Sequence, residues 1–137
     1  MNSGTTGYAT KWSGERHMNK AYAIARAGGP EYLDVKHTQF SNINVAKDVW
    51  WIDVPLARLD DDELRQIDLL LFDDRSSELH HLVVPTDYLR EHLDQLTVRA
   101  NKKCVQLELN AREPNRFQNV KPISSEVGFS QFVIRTL

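Results

Sequence analysis

Cysteine is nearly absent: Cys104 is the single one among 137 residues. No disulfide can form within the chain, and one thiol cannot by itself build a thiolate zinc site. Long apolar runs are missing too, since none approaches the roughly 18 residues of a membrane-spanning helix. The opening residues, MNSGTTGYATKWSGERH, lack the continuous apolar segment of a signal peptide. These absences predict a cytoplasmic protein that does not engage a membrane. An excess of one charge is also lacking. With 17 Lys and Arg against 19 Asp and Glu, the formal net charge is −2, so no global basic field draws in nucleic acid through counterion release. Neither GTTG nor AGGP stands between a strand and a helix, as a phosphate-cradling loop must. The nucleophile elbow G-x-S-x-G, the kinase motifs and C-x-x-C do not occur.

What is present is an ordinary balance for a folded domain, with 41% hydrophobic and 26% charged residues. The length suits one core, so residues 1–137 read as a single domain with a Gly/Ser/Thr-rich lead-in over 1–12. Ser13 is placed to cap a first helix, and Met18, Ala21, Tyr22 and Ala25 then recur at i, i+3, i+4 and i+7. Gly28, Gly29 and Pro30 stop it. EYLDVKHTQF alternates imperfectly and suits either a short strand or an irregular connection, and SNIN reads as loop. DVWWIDVP is a strand closed by Pro55, with both faces covered and a place near the sheet centre. LDDDELRQI predicts an acidic helical turn capped by Asp60 or Asp61.

The most informative stretch is IDLLLFDDRSSELHHLVVP, residues 67 to 85. Two apolar runs, Leu69 to Phe72 and Leu79 to Val84, flank a turn of Asp and Ser side chains that bond to the backbone, which predicts a hairpin. Pro85 ends the second strand and Thr86 reads as the cap of a helix carrying Tyr88, Leu89, His92, Leu93 and Leu96 on one face. CVQLELN alternates strictly, as a half-buried strand does, leaving Glu108 toward water or a cleft. Breakers fill AREPNRFQNVKPISSEVG. The final FSQFVIRTL fits a strand or a packed helix equally. The sum is an α+β domain, a central mixed β-sheet with flanking helices in the order α-β-β-β-α-β plus a C-terminal extension.

Over about residues 13–110 this order resembles the core of the restriction-endonuclease-like PD-(D/E)xK nuclease superfamily. The resemblance implies a nucleic-acid-associated protein with DNA or RNA as partner, either a magnesium-dependent nuclease or a divergent, inactive form of one. In that superfamily an acid on one strand and an acid-x-lysine pair on the next hold a divalent cation, which prefers carboxylate oxygens and assists phosphodiester hydrolysis. Carried onto this chain, Asp68 and Glu78 are the metal ligands, and Asp68, Glu78 and His80 are the catalytic residues. His80 stands where lysine is expected, and no proline precedes Asp68. Glu15 could reach the same edge.

Other residue groups suggest other roles. Arg99, Lys102, Lys103, Arg112 and Arg116, with Lys121 and Phe117 near them, form the best local basic array for phosphate contact. His80 and His81 point to opposite faces of a strand, so one cation cannot take both. His17 and His37 are scattered, and His92 on its apolar helix face reads as packed. Cys104 follows two lysines that would lower its pKa, although a buried free thiol is the commoner outcome. Trp50 and Trp51 also face opposite sides, and an exposed one would anchor a partner. The alternative to the nuclease-like reading is therefore a non-catalytic protein–protein interaction module, a homodimer or an accessory subunit of a larger complex.

Overall fold

The computed structural model describes residues 18–137. Seven strands form one sheet: β1 Thr38–Asn44, β2 Val49–Pro55, β3 Gln66–Asp73, β4 Glu78–Pro85, β5 Thr97–Arg99, β6 Cys104–Asn110 and β7 Val133–Thr136, in the order β5-β6-β2-β1-β3-β4-β7. Only β1 and β3 run parallel, and every other neighbouring pair is antiparallel. Among the described residues, three short α-helices, α1 Lys20–Arg26, α2 Leu56–Leu59 and α3 Thr86–Glu91, and three 3-10 turns accompany the sheet. The mixed sheet with flanking helices is the α+β class expected.

Three hairpins build most of the sheet, each turning through four residues. Their last loop residues, Asp48, Ser77 and Lys103, adopt φ of 60°, 57° and 52°, a left-handed conformation uncommon outside glycine. Two of the loops are tied by their own polar side chains: Lys47 N donates to Asn44 Oδ1, and Arg75 N to Asp73 Oδ1. Arg75 also reaches Asp48 at 2.8 Å, so the first two hairpin turns are clasped together. Strands β2 and β4 both end in Val-Pro and lead into α2 and α3. Proline fixes φ near −65° and has no N–H to lose at a helix start.

Side chains on successive strand residues point to opposite faces. On the front face Trp50, Ile52, Val54, Leu69, Leu71, Leu82, Leu107 and Leu109 are buried under α2, α3 and the segment leading to Phe129. On the back face α1 lays Ala23, Ile24 and Ala27 against Leu70, Phe72 and Leu79. Burying Leu- or Phe-sized side chains in this way contributes about 1.5–3 kcal/mol each.

Several local expectations are corrected. The first helix among the described residues begins at Lys20, because Asn19 caps it by accepting from Tyr22 N at 2.7 Å, and its buried face is Ala23, Ile24 and Ala27. Ser13 lies outside the described residues. SNIN belongs to β1, paired in parallel with β3 through Ser41↔Leu71 and Asn42↔Phe72. The acidic segment turns at Asp61, whose Oδ1 accepts from Glu63 N, and the helix lies before it, over Leu56–Leu59. Thr86 sits inside α3, where its hydroxyl donates to Leu64 O at 2.7 Å; Pro85 holds the cap position. The C-terminal stretch is both things in turn, a 3-10 turn at Ser130–Phe132 followed by β7. A short strand, β5, adds an edge beyond β6.

Candidate functional site

The hairpin register decides which side chains of IDLLLFDDRSSELHHLVVP meet. Asp68 pairs with Val83, whereas Glu78 pairs with Asp73. Five strand residues separate those two rungs, about 17 Å at 3.4 Å each. The alternation also sends Asp68 to the back face and Glu78 and His80 to the front. The expected metal pair, Asp68 with Glu78, is thus held apart at opposite ends and on opposite sides of the hairpin, too far for one cation. The expected trio of Asp68, Glu78 and His80 does not converge. Among the described residues no group of three or more His, Cys, Asp or Glu side chains is arranged to hold a metal ion. Glu15 lies outside the described residues.

His80 is a core residue. Its ring meets Trp50 and Phe117 edge-on, with centroids 5.6 and 5.2 Å away, and Nδ1 lies 2.9 Å from Thr136 Oγ1. Desolvation holds its pKa below the ordinary histidine value, and Arg116 pushes the same way. A neutral imidazole in an aromatic cage cannot stand in for a lysine ammonium.

His81, its neighbour, is the residue that meets Asp68. Its Nε2 lies 2.6 Å from Asp68 Oδ2, and its Nδ1 accepts from Arg135 Nε at 3.1 Å. An arginine only donates, so Nδ1 carries no proton and the proton is on Nε2, facing the carboxylate. Arg135 continues the chain: one Nη donates to the Ala27 carbonyl at the end of α1, and the guanidinium lies 4.8 Å from the centre of the Tyr32 ring. His81 and Arg135 are paired across β4 and β7, and Asp68 reaches the ring diagonally from β3, where Leu70 is the residue paired with His81.

Asp68 and His81 of this chain line an open cleft of about 530 Å³ on the back face, beside the region that α1 covers, and Arg135 stands behind His81, outside the lining. The apolar lining is Tyr32, Leu33, Leu64, Val83 and Ile134, and the polar lining is Asp34, His37, Glu63, Arg65, Gln66, Asp68 and His81. Tyr32 and Ile134 are 60% and 52% exposed and make an apolar rim. A second Asp–His pair faces the first: His37 Nδ1 lies 2.6 Å from Asp34 Oδ2 on the 3-10 turn Val35–His37. The side-chain bond to His37 holds the Asp34 carboxyl below the usual carboxylate range, although burial opposes it. The far wall is fixed by Arg90, which donates to the carbonyls of Leu59 and Asp61, and by Thr86 at Leu64.

The other expected sites separate likewise. Arg99, Lys102 and Lys103 share the β5–β6 turn, while Arg112 and Arg116 follow the opposite end of β6. The latter two are in ion pairs with Asp48 and Glu113. The seven residues of β6 put about 20 Å between the two groups. Cys104 is buried, and desolvation raises its thiol, with Asp53 adding to the effect, against the lowering by Arg99 and Lys102. Glu108 is buried, with Lys121 Nζ 3.9 Å away. His92 bonds through Nδ1 to Tyr88 O and packs on the Tyr88 ring. Trp50 is fully buried and donates to Phe72 O, whereas Trp51 is 36% exposed beneath Lys47.

No family model, curated protein or solved structure matches this chain. The cleft therefore has to be read from its own chemistry. Its described lining contains no serine, threonine or cysteine, and both ring nitrogens of His81 are engaged. It offers Asp68 Oδ1, Glu63 and Asp34 as acceptors, Arg65 and Gln66 as donors, and an apolar rim. The Asp-x-x-His spacing of Asp34 and His37 was a legible local signal. The junction of Asp68 with His81 needed the strand register, and Arg135 needed a contact 54 residues away.

Proposed function

We propose that this protein is a non-catalytic binding module that takes up a donor-bearing group of a polypeptide partner in the back-face cleft. One observation carries the reading: a carboxylate and an imidazole, the latter backed by a guanidinium, line an open cleft with an exposed aromatic rim. Placing a buried histidine between two partly exposed charged groups, in a sheet that could hold leucines, does not favour stability over an apolar core, whereas it presents Asp68 Oδ1 in a fixed position to an incoming N–H. Phosphodiester cleavage is not adopted, because the two carboxylates it requires are separated by the hairpin.

Three probes of one shape and different charge test this reading: benzamidine, benzamide and benzoate, each titrated into the full chain and followed by amide NMR shifts. The expected result is that benzamidine moves the amides of Tyr32, Gln66, Asp68, Val83 and Ile134, and that Asp68→Asn weakens the response. Shifts confined to other regions, or no response to any of the three, would overturn the cleft as a binding site.

A second reading, association with nucleic acid, is favoured by the three cations of the β5–β6 turn, none of which takes part in an ion pair among the described residues. Anisotropy of a labelled oligonucleotide tests it. Each phosphate contact contributes about 0.7–0.9 to the slope of log K against log salt, so Lys102→Glu with Lys103→Glu should flatten that slope. An unchanged slope rejects this reading.

A further inference from the structure

We propose that His81 makes the cleft sensitive to acid, through a latch in which proton uptake at Nδ1 expels Arg135 and frees the Tyr32 rim of the cleft and the end of α1 behind it. This rests on the reading of the cleft as a binding site, since it concerns how that site is regulated.

The latch follows from donor and acceptor arithmetic. Only the neutral imidazole with its proton on Nε2 satisfies both neighbours, donating to Asp68 and accepting from Arg135. A proton taken from solvent onto Nδ1 leaves the bond to Asp68 intact and turns it into an ion pair. On the other side it sets an N–H against the Arg135 Nε–H, two donors and two positive charges at hydrogen-bond distance. Arginine cannot relieve this by losing a proton, because its pKa is above 12. Arg135 must therefore leave. The charged groups in contact with His81 are Asp68 from β3 and Arg135 from β7. Asp34, His37, Glu63 and Arg65 line the same cleft from the two loops across it.

Departure of Arg135 has a local consequence. It releases the Ala27 carbonyl, the C-cap of α1, and takes the cation from the Tyr32 ring. The helix itself stays attached, because Arg26 separately donates to the carbonyls of Leu137 and Ser77. The segment loosened is thus the stretch from Gly28 to Tyr32, between the core residues Ala27 and Leu33, and it carries the Tyr32 rim.

Isotope-labelled full chain, titrated from about pH 7.5 to about pH 5, tests the latch, since histidine changes charge in that range. The imidazole nitrogens of His81 and the amides of Ala27 to Leu33 are followed together. Shared midpoints are expected, with the shifts at Ala27 and Tyr32 lost in His81→Gln, whose amide can donate and accept without titrating. In Arg135→Gln the His81 ring should still titrate while Ala27 and Tyr32 cease to follow it. The latch is overturned if those amides ignore His81 in the natural chain, or move equally in His81→Gln. Running the same titration in His80→Leu removes the proton site in the core, so a change due to unfolding is told apart. Benzamidine titrated at both ends of the range separates the two ideas. Cleft shifts of equal size at both would sink the latch and keep the site, whereas no cleft shifts at either would sink the site and leave the latch to the amide titration.

Discussion

On the front of β4, His80 sits edge-on against the stacked rings of Trp50 and Phe117, with Thr136 as its polar neighbour. On the back, one residue later, His81 is held between a carboxylate and a guanidinium. Both rings are buried, at 2% and 1% exposure. Burial alone therefore does not set a histidine's role; the number of charged partners does. His80 has none in hydrogen-bond contact and is kept neutral by desolvation, while His81 has one on each nitrogen and is fixed in a single tautomer. The apolar side closes into a core and the polar side opens into a cleft.

The comparison breaks most sharply at Trp50. Trp50→Ala removes the largest wall of the His80 cage and should cost about 3–5 kcal/mol, the range for aromatic-to-alanine changes in cores. Urea unfolding measures this, and a cost below about 1 kcal/mol would mean that the front face is not packed as described. His81→Leu comes next. It leaves Asp68 and Arg135 without their shared partner, for an expected cost of about 1–3 kcal/mol, with His81→Gln costing distinctly less. Equal costs for the two variants would show that His81 serves only to fill space.

The pH dependence of stability sharpens the contrast. The folded pKa of His80 lies below its unfolded value, so the unfolded chain binds the extra proton first. Its contribution to stability is complete above the unfolded value of about 6.5 and is lost as pH falls below it. Thermal melts should show this loss, and His80→Leu should remove that part of it. Asp73 gives the smallest effect. Desolvation would raise its carboxyl, but the hydrogen bonds from Arg75 outweigh it and lower the pKa. That contribution is present above the unfolded value of about 3.9 and disappears as pH falls through it. Asp73→Asn should flatten the melting curve only in that acid range; a change near neutral pH would contradict the assignment.

Much of the scaffold could be read before the fold was seen. The two apolar runs around DDRSSE became β3 and β4, the strict alternation of CVQLELN became β6, and the double glycine after Ala27 ended α1 with φ of 121° and 89°. These depend on neighbours in sequence, where period-two patterns and backbone preferences act directly. Less could be read where distant groups decide. The described helix is capped by Asn19, a signal the apolar spacing did not single out, and SNIN became strand because β3 supplied a parallel partner. The basic array divided because β6 carries its two ends apart. Glu108, which alternation left toward water or a cleft, is covered as the chain returns, with Val120 N donating to its carbonyl.

Sequence alone determined that His80 and His81 part company across the sheet, because a strand turns each successive side chain over. It also determined that a hairpin joins the segments bearing Asp68 and the histidines. Only the tertiary structure decided which histidine Asp68 meets and what lies on the far side of the ring. One residue of slip in register exchanges every partner on a strand, and Arg135 arrives from an edge strand that no local pattern ties to β4. Partner choice is a long-range property of the closed sheet, and the chemistry of the cleft depends on it.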